Sequence, residues 1–139
     1  MATIVRSTDA HPDPVHARYA SRTPMLTPLV AGEILDRAAP CYIKSSDGKI
    51  YMCNAGSSNE PSEILGFTGK PYVADEPVTL FREGSVFYYS DGNLTAGDKM
   101  YLHTASGLLS GSATLGDALG VAVCLDTKHI LVTRAHPTV

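Results

Sequence analysis

The residues of this chain that could carry out chemistry occur in small, separate groups, and the first is a serine with a nearby lysine. Ser46 and Lys49 have the S-x-x-K spacing of serine acylases. That mechanism needs the two side chains one helical turn apart, whereas Asp47-Gly48 between them predicts a tight reversal between two strands. We therefore expect Ser46 and Lys49 to lie in a turn and to take no part in catalysis.

Histidines and an aspartate near the amino end supply atoms that could bind zinc. The segment His11-Pro12-Asp13-Pro14-Val15-His16 contains two imidazoles and a carboxylate. Its prolines favour an extended segment without surrounding groups that would orient the ligands, so we expect no metal there. The remaining histidines are scattered, and we expect them to be polar residues of edge strands: His103, His129 and His136.

The three cysteines, Cys41, Cys53 and Cys124, lie in apolar, strand-like segments without a C-x-x-C pair. An odd number cannot close into a complete set of disulfides, so we expect buried free thiols that behave as small apolar side chains. P-loop, G-x-G-x-x-G, G-x-S-x-G and H-E-x-x-H motifs are also missing from the sequence. We therefore expect neither catalytic residues nor a cofactor.

Length and charge limit the range of partners. A chain of 139 residues suits one domain with a single core. The 14 acidic residues outnumber the 11 basic ones, and lysines and arginines never stand side by side, which argues against nucleic-acid binding. The sequence contains neither the apolar core of a signal peptide at its start nor a membrane-length apolar run. We expect a soluble protein made in the cytoplasm, with no membrane partner.

Two regions differ in composition: residues 1–28 and residues 29–139. The first region has few large apolar residues and four prolines, Pro12, Pro14, Pro24 and Pro28. Proline disfavours both helices and interior strands, so this region is predicted to form an extended arm that orders on a partner and is dispensable for folding. The second region is predicted to form the folded β domain.

The second region alternates strand-like segments with turn residues. Residues 41–54 predict a hairpin around Gly48, and residues 78–89 predict a second hairpin around Gly84. Residues 32–39 are the one helix candidate of useful length, and Gly32 and Pro40 weaken it. The predicted fold is mainly β, a small barrel or sandwich of short antiparallel strands with an extended amino-terminal arm.

Two stretches of the chain read as versions of one unit. Each has an Ala-Gly-acid step, a tyrosine six residues before a turn glycine, and a later Leu-Gly step. The first copy has these features at residues 31–33, 42, 48 and 65–66, and the second at residues 96–98, 101, 107 and 119–120. None of the repeated residues is a nucleophile, base or metal ligand, so the repeat predicts a β scaffold, with Gly48, Gly84 and Gly107 in turns.

Short motifs along the chain carry a resemblance to a known family. Residues 23–29 (TPMLTPL) close the arm, residues 64–67 (ILGF) follow the first hairpin, and residues 79–87 (TLFREGSVF) hold the second turn. Residues 94–102 and 119–122 add a second Ala-Gly-Asp unit, where the lambda-like pattern has a loop or short helix. In this order the motifs resemble the head decoration (capsid cement) proteins of tailed bacteriophages, the lambda-like type included, over residues 23–133.

The resemblance implies a homotrimer that binds the outer surface of a phage head and stabilises the capsid lattice. The implied partners are the major capsid protein and other copies of the chain, and the implied location is the virion. An extended arm can add as a strand to a sheet edge of its partner, and three copies bind a lattice more tightly than one. The expected capsid-binding residues of the arm are Arg6, Arg18, Tyr19, Arg22, Pro24 and Leu26.

Two other functions remain open from the sequence. A virion domain that binds glycans or a host surface would use aromatic side chains or a polar loop, namely Phe87, Tyr88, Tyr89 or residues 54–63. A small β enzyme could form its site between subunits, from Ser46, Asp98 and His103. Exposed aromatic rings on a concave face would favour the first alternative, and a pocket with converging polar groups would favour the second.

Overall fold

A computed structural model describes residues 4–13, 25–56 and 59–135 of the chain. Helical structure within these residues is limited to one 3-10 turn, Glu60–Ser62. Their strands are β1 (His11–Pro12), β2 (Met25–Val30), β3 (Pro40–Ile43), β4 (Ile50–Met52), β5 (Gly66–Thr68), β6 (Pro77–Phe81), β7 (Val86–Tyr88), β8 (Lys99–Leu102), β9 (Leu109–Ser110), β10 (Ala122–Cys124) and β11 (His129–Val132). The prediction of a mainly β protein built from short strands is confirmed.

The strands form two antiparallel sheets. The five-stranded sheet has the order β2-β6-β5-β3-β4, and the six-stranded sheet has the order β1-β7-β11-β10-β8-β9. Apart from β1, each sheet is built from one continuous half of the chain. We call β2 to β6 the first half and β7 to β11 the second half.

The two halves have the same strand connectivity. If the strands of each half are numbered one to five along the chain, both sheets have the order 1-5-4-2-3. The sequence repeat follows this arrangement, because Gly48 and Gly107 lie between the second and third strands of their halves and have φ of 70° and 77°. The two Leu-Gly steps lead into β5 and β10, the fourth strands.

The predicted second hairpin is wrong, because β6 and β7 belong to different sheets. β6 pairs with β2 and β5, whereas β7 pairs with β1 and β11. Gly84 has φ of 93° and donates its backbone N–H to the Val132 carbonyl at 2.8 Å. Turn residues predicted the chain reversal correctly, but a turn does not determine which strands pair, and here it carries the chain from one half to the other.

The predicted helix at residues 32–39 is also absent. Leu35 instead forms an isolated antiparallel bridge with Tyr72, with backbone hydrogen bonds of 2.9 and 3.0 Å. Leu35 is fully buried. A run of eight residues that contains a glycine is too short to stabilise a helix, and pairing with Tyr72 satisfies its backbone instead.

The buried apolar side chains form two clusters: the larger joins the two halves, and the smaller lies within the first half. Phe67 of β5 and Phe87 of β7 are both fully buried, and their ring centroids lie 5.7 Å apart. Phe81 of β6 meets Phe87 edge-on at 5.9 Å. These contacts pack strands of the first half directly onto the second half, so the halves fold as one body.

Residues 4–13 contain a turn and the two-residue strand β1, and they pack against the second half. Backbone N–H groups of Ile4, Ser7 and Asp13 donate to carbonyls of Leu109, Tyr89 and Val86 at 3.1, 2.7 and 2.7 Å. Ala10 is 1% exposed and belongs to the core. The expectation that the arm contributes little to the core is therefore wrong for these residues, because an edge strand needs backbone hydrogen bonds and no apolar periodicity. The predicted boundary at residue 28 falls inside β2.

Candidate interaction surface

The outer strand of the first half, β2, is open on one side. Among the described residues it pairs only with β6, and the pairing shifts register between Leu26 and Leu29. Met25 and Val30, at its two ends, are 56% and 40% exposed. Pro28 has no backbone N–H to offer a neighbouring strand. The edge of β2 therefore combines exposed apolar ends with a central proline.

Two further apolar side chains extend this edge. Ile34 and Val73 are 68% and 57% exposed and flank the bridge between Leu35 and Tyr72. The bridged segments adjoin the end of β2, because the backbone N–H of Ala31 donates to the Glu76 carbonyl at 2.9 Å. We call β2 together with Ile34 and Val73 the β2 surface. Adjoining exposed apolar groups are typical of surfaces that bind another protein.

Another pair of exposed apolar residues lies on the second half. Leu115 and Leu119 are 74% and 65% exposed in the loop between β9 and β10. The loop is tied to the first half by the Gly116 backbone N–H, which donates to the Ala55 carbonyl at 3.0 Å. Because these leucines lie on a loop outside the β2 surface, they provide a matched comparison for it.

The predicted capsid-binding residues of the arm divide into three groups. Arg6 faces the chain's own domain: its guanidinium donates to the Gly107 carbonyl at 3.0 Å and pairs with Asp36 at 3.4 Å. Leu26 is half-buried in β2 opposite Leu80. The others lie outside the described residues: Arg18, Tyr19, Arg22 and Pro24. Of the described pair, Leu26 is part of the β2 surface and Arg6 is not.

The S-x-x-K residues lie in the turn between β3 and β4. Lys49 Nζ lies 2.9 Å from an Asp75 carboxylate oxygen, and this hydrogen bond raises the pKa of Lys49. Acylation would need the opposite shift, since only an uncharged amine can take a proton. Asp47 accepts a 2.6 Å hydrogen bond from the Tyr51 hydroxyl, which lowers the pKa of Asp47 and raises that of Tyr51 to about 12. These groups stabilise the turn.

The side chains considered as possible zinc ligands, from which we expected no metal site, point to different neighbours. The ring of His11 stacks on Tyr88 with centroids 5.4 Å apart, while Asp13 faces His129 at 3.1 Å. His16 lies outside the described residues. Within residues 4–13, 25–56 and 59–135, no group of three or more histidine, cysteine, aspartate or glutamate side chains is placed to hold a metal ion.

The cysteines are free and buried, as predicted. Burial raises the pKa of Cys41 and Cys53 strongly, and it raises the pKa of Cys124 to about 11. A thiol that stays protonated at neutral pH is a poor nucleophile. The three side chains therefore pack in the core and do not form a reactive site.

The aromatic run 87–89 packs inside the chain. Phe87 and Tyr89 are fully buried, and the half-buried Tyr88 donates its hydroxyl to Asp91 at 2.7 Å. Two of the three rings are thus unavailable to stack on a sugar or to contact a second subunit. Ser46, Asp98 and His103 lie on three separate turns, and the backbone N–H of Ala105 donates to His103 Nδ1 at 2.9 Å.

Sequence reasoning missed both Ile34 and Val73 and the contact between Asp13 and His129. The first pair had a signal, since each is a large apolar residue close to charged ones: Ile34 follows Glu33, and Val73 lies two residues before Asp75. The second had none, because 116 residues separate its members.

Comparison with known proteins adds no relative: no protein-family model matches the chain, and no curated protein matches it. Within the part of the chain that the structure describes, no helix is long and apolar enough to cross a membrane.

Proposed function

We propose that this chain is a capsid decoration (cement) protein, which binds the outer surface of a phage head as a homotrimer and stabilises the lattice. The motif resemblance over residues 23–133 supports the family, and the mainly β fold suits a rigid surface protein. The observation that carries the proposal is the β2 surface, where an open strand edge lies beside exposed Ile34 and Val73.

Many weak contacts that act together can hold such a protein on a lattice. Exposed Met25, Val30, Ile34 and Val73 can each bury apolar area against a neighbouring subunit, at roughly 25 cal/mol per Å². A single copy gains little binding free energy, because it loses translational and rotational freedom on binding. Three linked copies contact the lattice together and bind it more tightly through avidity. The partners in this proposal are other copies of the chain and the major capsid protein.

The arm keeps part of its expected role. Residues 4–13 are used by the chain's own second half, so capsid contacts are proposed for the segment that leads into β2, with Arg18, Tyr19, Arg22 and Pro24, and for Leu26 within the strand. This segment ends at the β2 surface. The arm and the β2 surface would then contact the same neighbour.

The alternatives have less support from the geometry. A glycan-binding function would have to use Tyr88 or the loop 54–63 without the buried rings of Phe87 and Tyr89. An enzyme would need a second copy to bring Ser46, Asp98 and His103 together, and it stays an alternative on that basis alone.

Electron microscopy of particles from the source, made with and without this gene, tests the function. We expect added density on the outer lattice at three-fold and quasi-three-fold positions only when the protein is present. Particles that show the same surface in both preparations would refute the proposal.

Variants then test which surface binds. We expect the double variant Ile34→Ser, Val73→Ser to lose occupancy, because it removes apolar area from the β2 surface. The matched control is Leu115→Ser, Leu119→Ser, which removes exposed apolar side chains elsewhere and should bind as the natural chain does. Equal occupancy of the two double variants would show that the β2 surface is not the binding face.

A further inference from the structure

His129, the first residue of β11, lies between two carboxylates. Its Nε2 is 3.1 Å from Asp13 Oδ2, and its Nδ1 is 3.1 Å from Asp126 Oδ1. The histidine side chain is only 7% exposed, and each aspartate is 19% exposed. Asp126 belongs to the turn just before β11, whereas Asp13 directly follows β1. His129 therefore links β1, the first strand along the chain, to β11, the last strand along the chain.

The two hydrogen bonds of His129 depend on how many protons its imidazole ring carries. Ionised carboxylates only accept hydrogen bonds, and a neutral imidazole has one N–H, so both bonds form only when the ring carries two protons. Loss of one proton leaves a nitrogen lone pair facing a carboxylate. Bonds between an imidazolium and a carboxylate are charge-assisted and stronger than neutral ones, so the loss weakens the link between the strands.

Of the two contacts of His129, the one with Asp13 is the one that can break. Asp126 Oδ1 also accepts backbone N–H groups from Lys128 and His129, both at 2.7 Å, so the turn holds this carboxylate in place. Asp13 directly follows the two-residue strand β1. Among the described strands, β1 pairs only with β7. A ring that keeps one proton can retain its bond to Asp126 and release Asp13.

The groups around the His129 ring form a row across three strands beside a cavity. Register places His11, Tyr88 and His129 in one row across β1, β7 and β11, with the Tyr88 ring edge-on to His129 at 5.8 Å. A cavity of about 660 Å³ opens beside the row, and its charged or titratable lining groups are Asp13, Tyr88, Asp126, Lys128 and His129. Tyr88 in turn bonds Asp91.

We propose that Asp13, His129 and Asp126 form a pH-dependent latch, which holds the amino-terminal strand on the edge of β7 and releases it as pH rises. The docked state binds the second ring proton, so deprotonation favours release. Strong acid also weakens the latch, because a protonated carboxyl no longer attracts the imidazolium. Release uncovers the edge of β7, a strand without proline. The latch does not depend on the capsid function proposed above.

Hydrogen exchange of the full-length protein tests the latch. Protection factors, corrected for the pH dependence of intrinsic exchange, are measured at about pH 6 and about pH 9. We expect protection of the Ser7 and Asp13 amides to fall about tenfold or more, the effect of losing one charge-assisted hydrogen bond. The Val121 amide, which donates to Met100 within the same sheet, should keep its protection.

The variant Asp13→Asn removes the charge that the second ring proton faces. It should show low protection of the Ser7 amide at both pH values, with the pH-dependent fall abolished. Nitrogen NMR of the His129 ring should show two N–H groups at the lower pH in the natural chain. If Asp13→Asn retains the full pH-dependent fall, or if the natural chain shows no fall, the latch does not exist. Asp13 lies at the sheet edge, so this variant should still fold.

Discussion

The two halves of the chain have the same strand order but treat their outer strands differently. In the second half, β1 covers the edge of β7, and Asp13 and His129 hold it there. In the first half, β2 is the strand equivalent to β7. It has no described strand on its outer side, and Pro28 interrupts its edge. An uncovered edge invites pairing with other chains, and covering it or placing a proline in it both limit that pairing.

On this difference we base the separate roles that we propose for the halves. The covered edge makes residues 4–13 part of the folded domain, while the β2 surface remains accessible to other molecules. Proline at the centre of β2 restricts strand addition, so side-chain contacts through Met25, Val30, Ile34 and Val73 should dominate binding there. We therefore expect changes in the two halves to lower the free energy of unfolding by different amounts.

The largest effect is expected at the Leu-Gly step of the second half. Buried Asp117 accepts backbone N–H groups of Leu102, Leu119 and Gly120, and it pairs with Arg134 at 2.8 Å. Asp117→Ala leaves Arg134 buried without its carboxylate, so the free energy of unfolding should fall by about 3–5 kcal/mol in urea denaturation.

The Leu-Gly step of the first half has a simpler link, in which the Leu65 N–H donates to the Cys41 carbonyl at 2.7 Å. The control for Asp117→Ala is Asp75→Asn, which removes an exposed carboxylate and keeps a residue that tolerates the positive φ of 71° at this position, so it should have little effect. Comparable losses in Asp117→Ala and Asp75→Asn would mean that the buried cluster is not a distinctive support of the second half.

The next effect is expected from the amino-terminal strand. Deletion of residues 2–13 removes β1, the buried Ala10 and the backbone hydrogen bonds to Val86, Tyr89 and Leu109. Each such bond contributes about 1 kcal/mol, so we expect a loss of about 2 kcal/mol or more and a lower Tm. Thermal unfolding unchanged by the deletion would support the sequence prediction of a dispensable arm.

Substitution of the equivalent turn glycines, Gly48 and Gly107, should lower the free energy of unfolding by a smaller amount. Both have positive φ, which makes alanine unfavourable at either position by about 1 kcal/mol. A Cβ at Gly48 would meet no atom within 4 Å, whereas a Cβ at Gly107 would collide with the Met52 side chain. Gly107→Ala should therefore destabilise the protein more than Gly48→Ala. Equal denaturation midpoints would show that Met52 moves aside without cost.

The smallest effect is expected in the β3–β4 turn and depends on pH. The hydrogen bond from Tyr51 lowers the pKa of Asp47, so its stabilising contribution is present above the unfolded-state pKa and is lost as pH falls through the lower folded-state value. Tyr51→Phe should raise the pKa of Asp47, as measured by NMR titration of its carboxyl carbon. An unchanged titration would show that the hydrogen bond does not form in solution.

The sequence predicted the class of fold and the positions of the turns, because alternating apolar residues and turn glycines act locally. It also revealed the repeat, which corresponds to the shared strand order. It did not predict that β6 and β7 separate into different sheets, since pairing partners are chosen by burial across the whole chain. For the same reason it did not place residues 4–13 on β7 or bring Asp13 to His129.

We propose that the β2 surface binds neighbouring subunits on a capsid. A cryo-electron reconstruction of decorated particles, detailed enough to place individual strands, tests it most directly. We expect three copies around each local axis, with β2, Ile34 and Val73 buried against neighbours and with Leu115 and Leu119 facing solvent. A particle surface that lacks the protein, or a copy bound with Ile34 and Val73 exposed, would contradict the account.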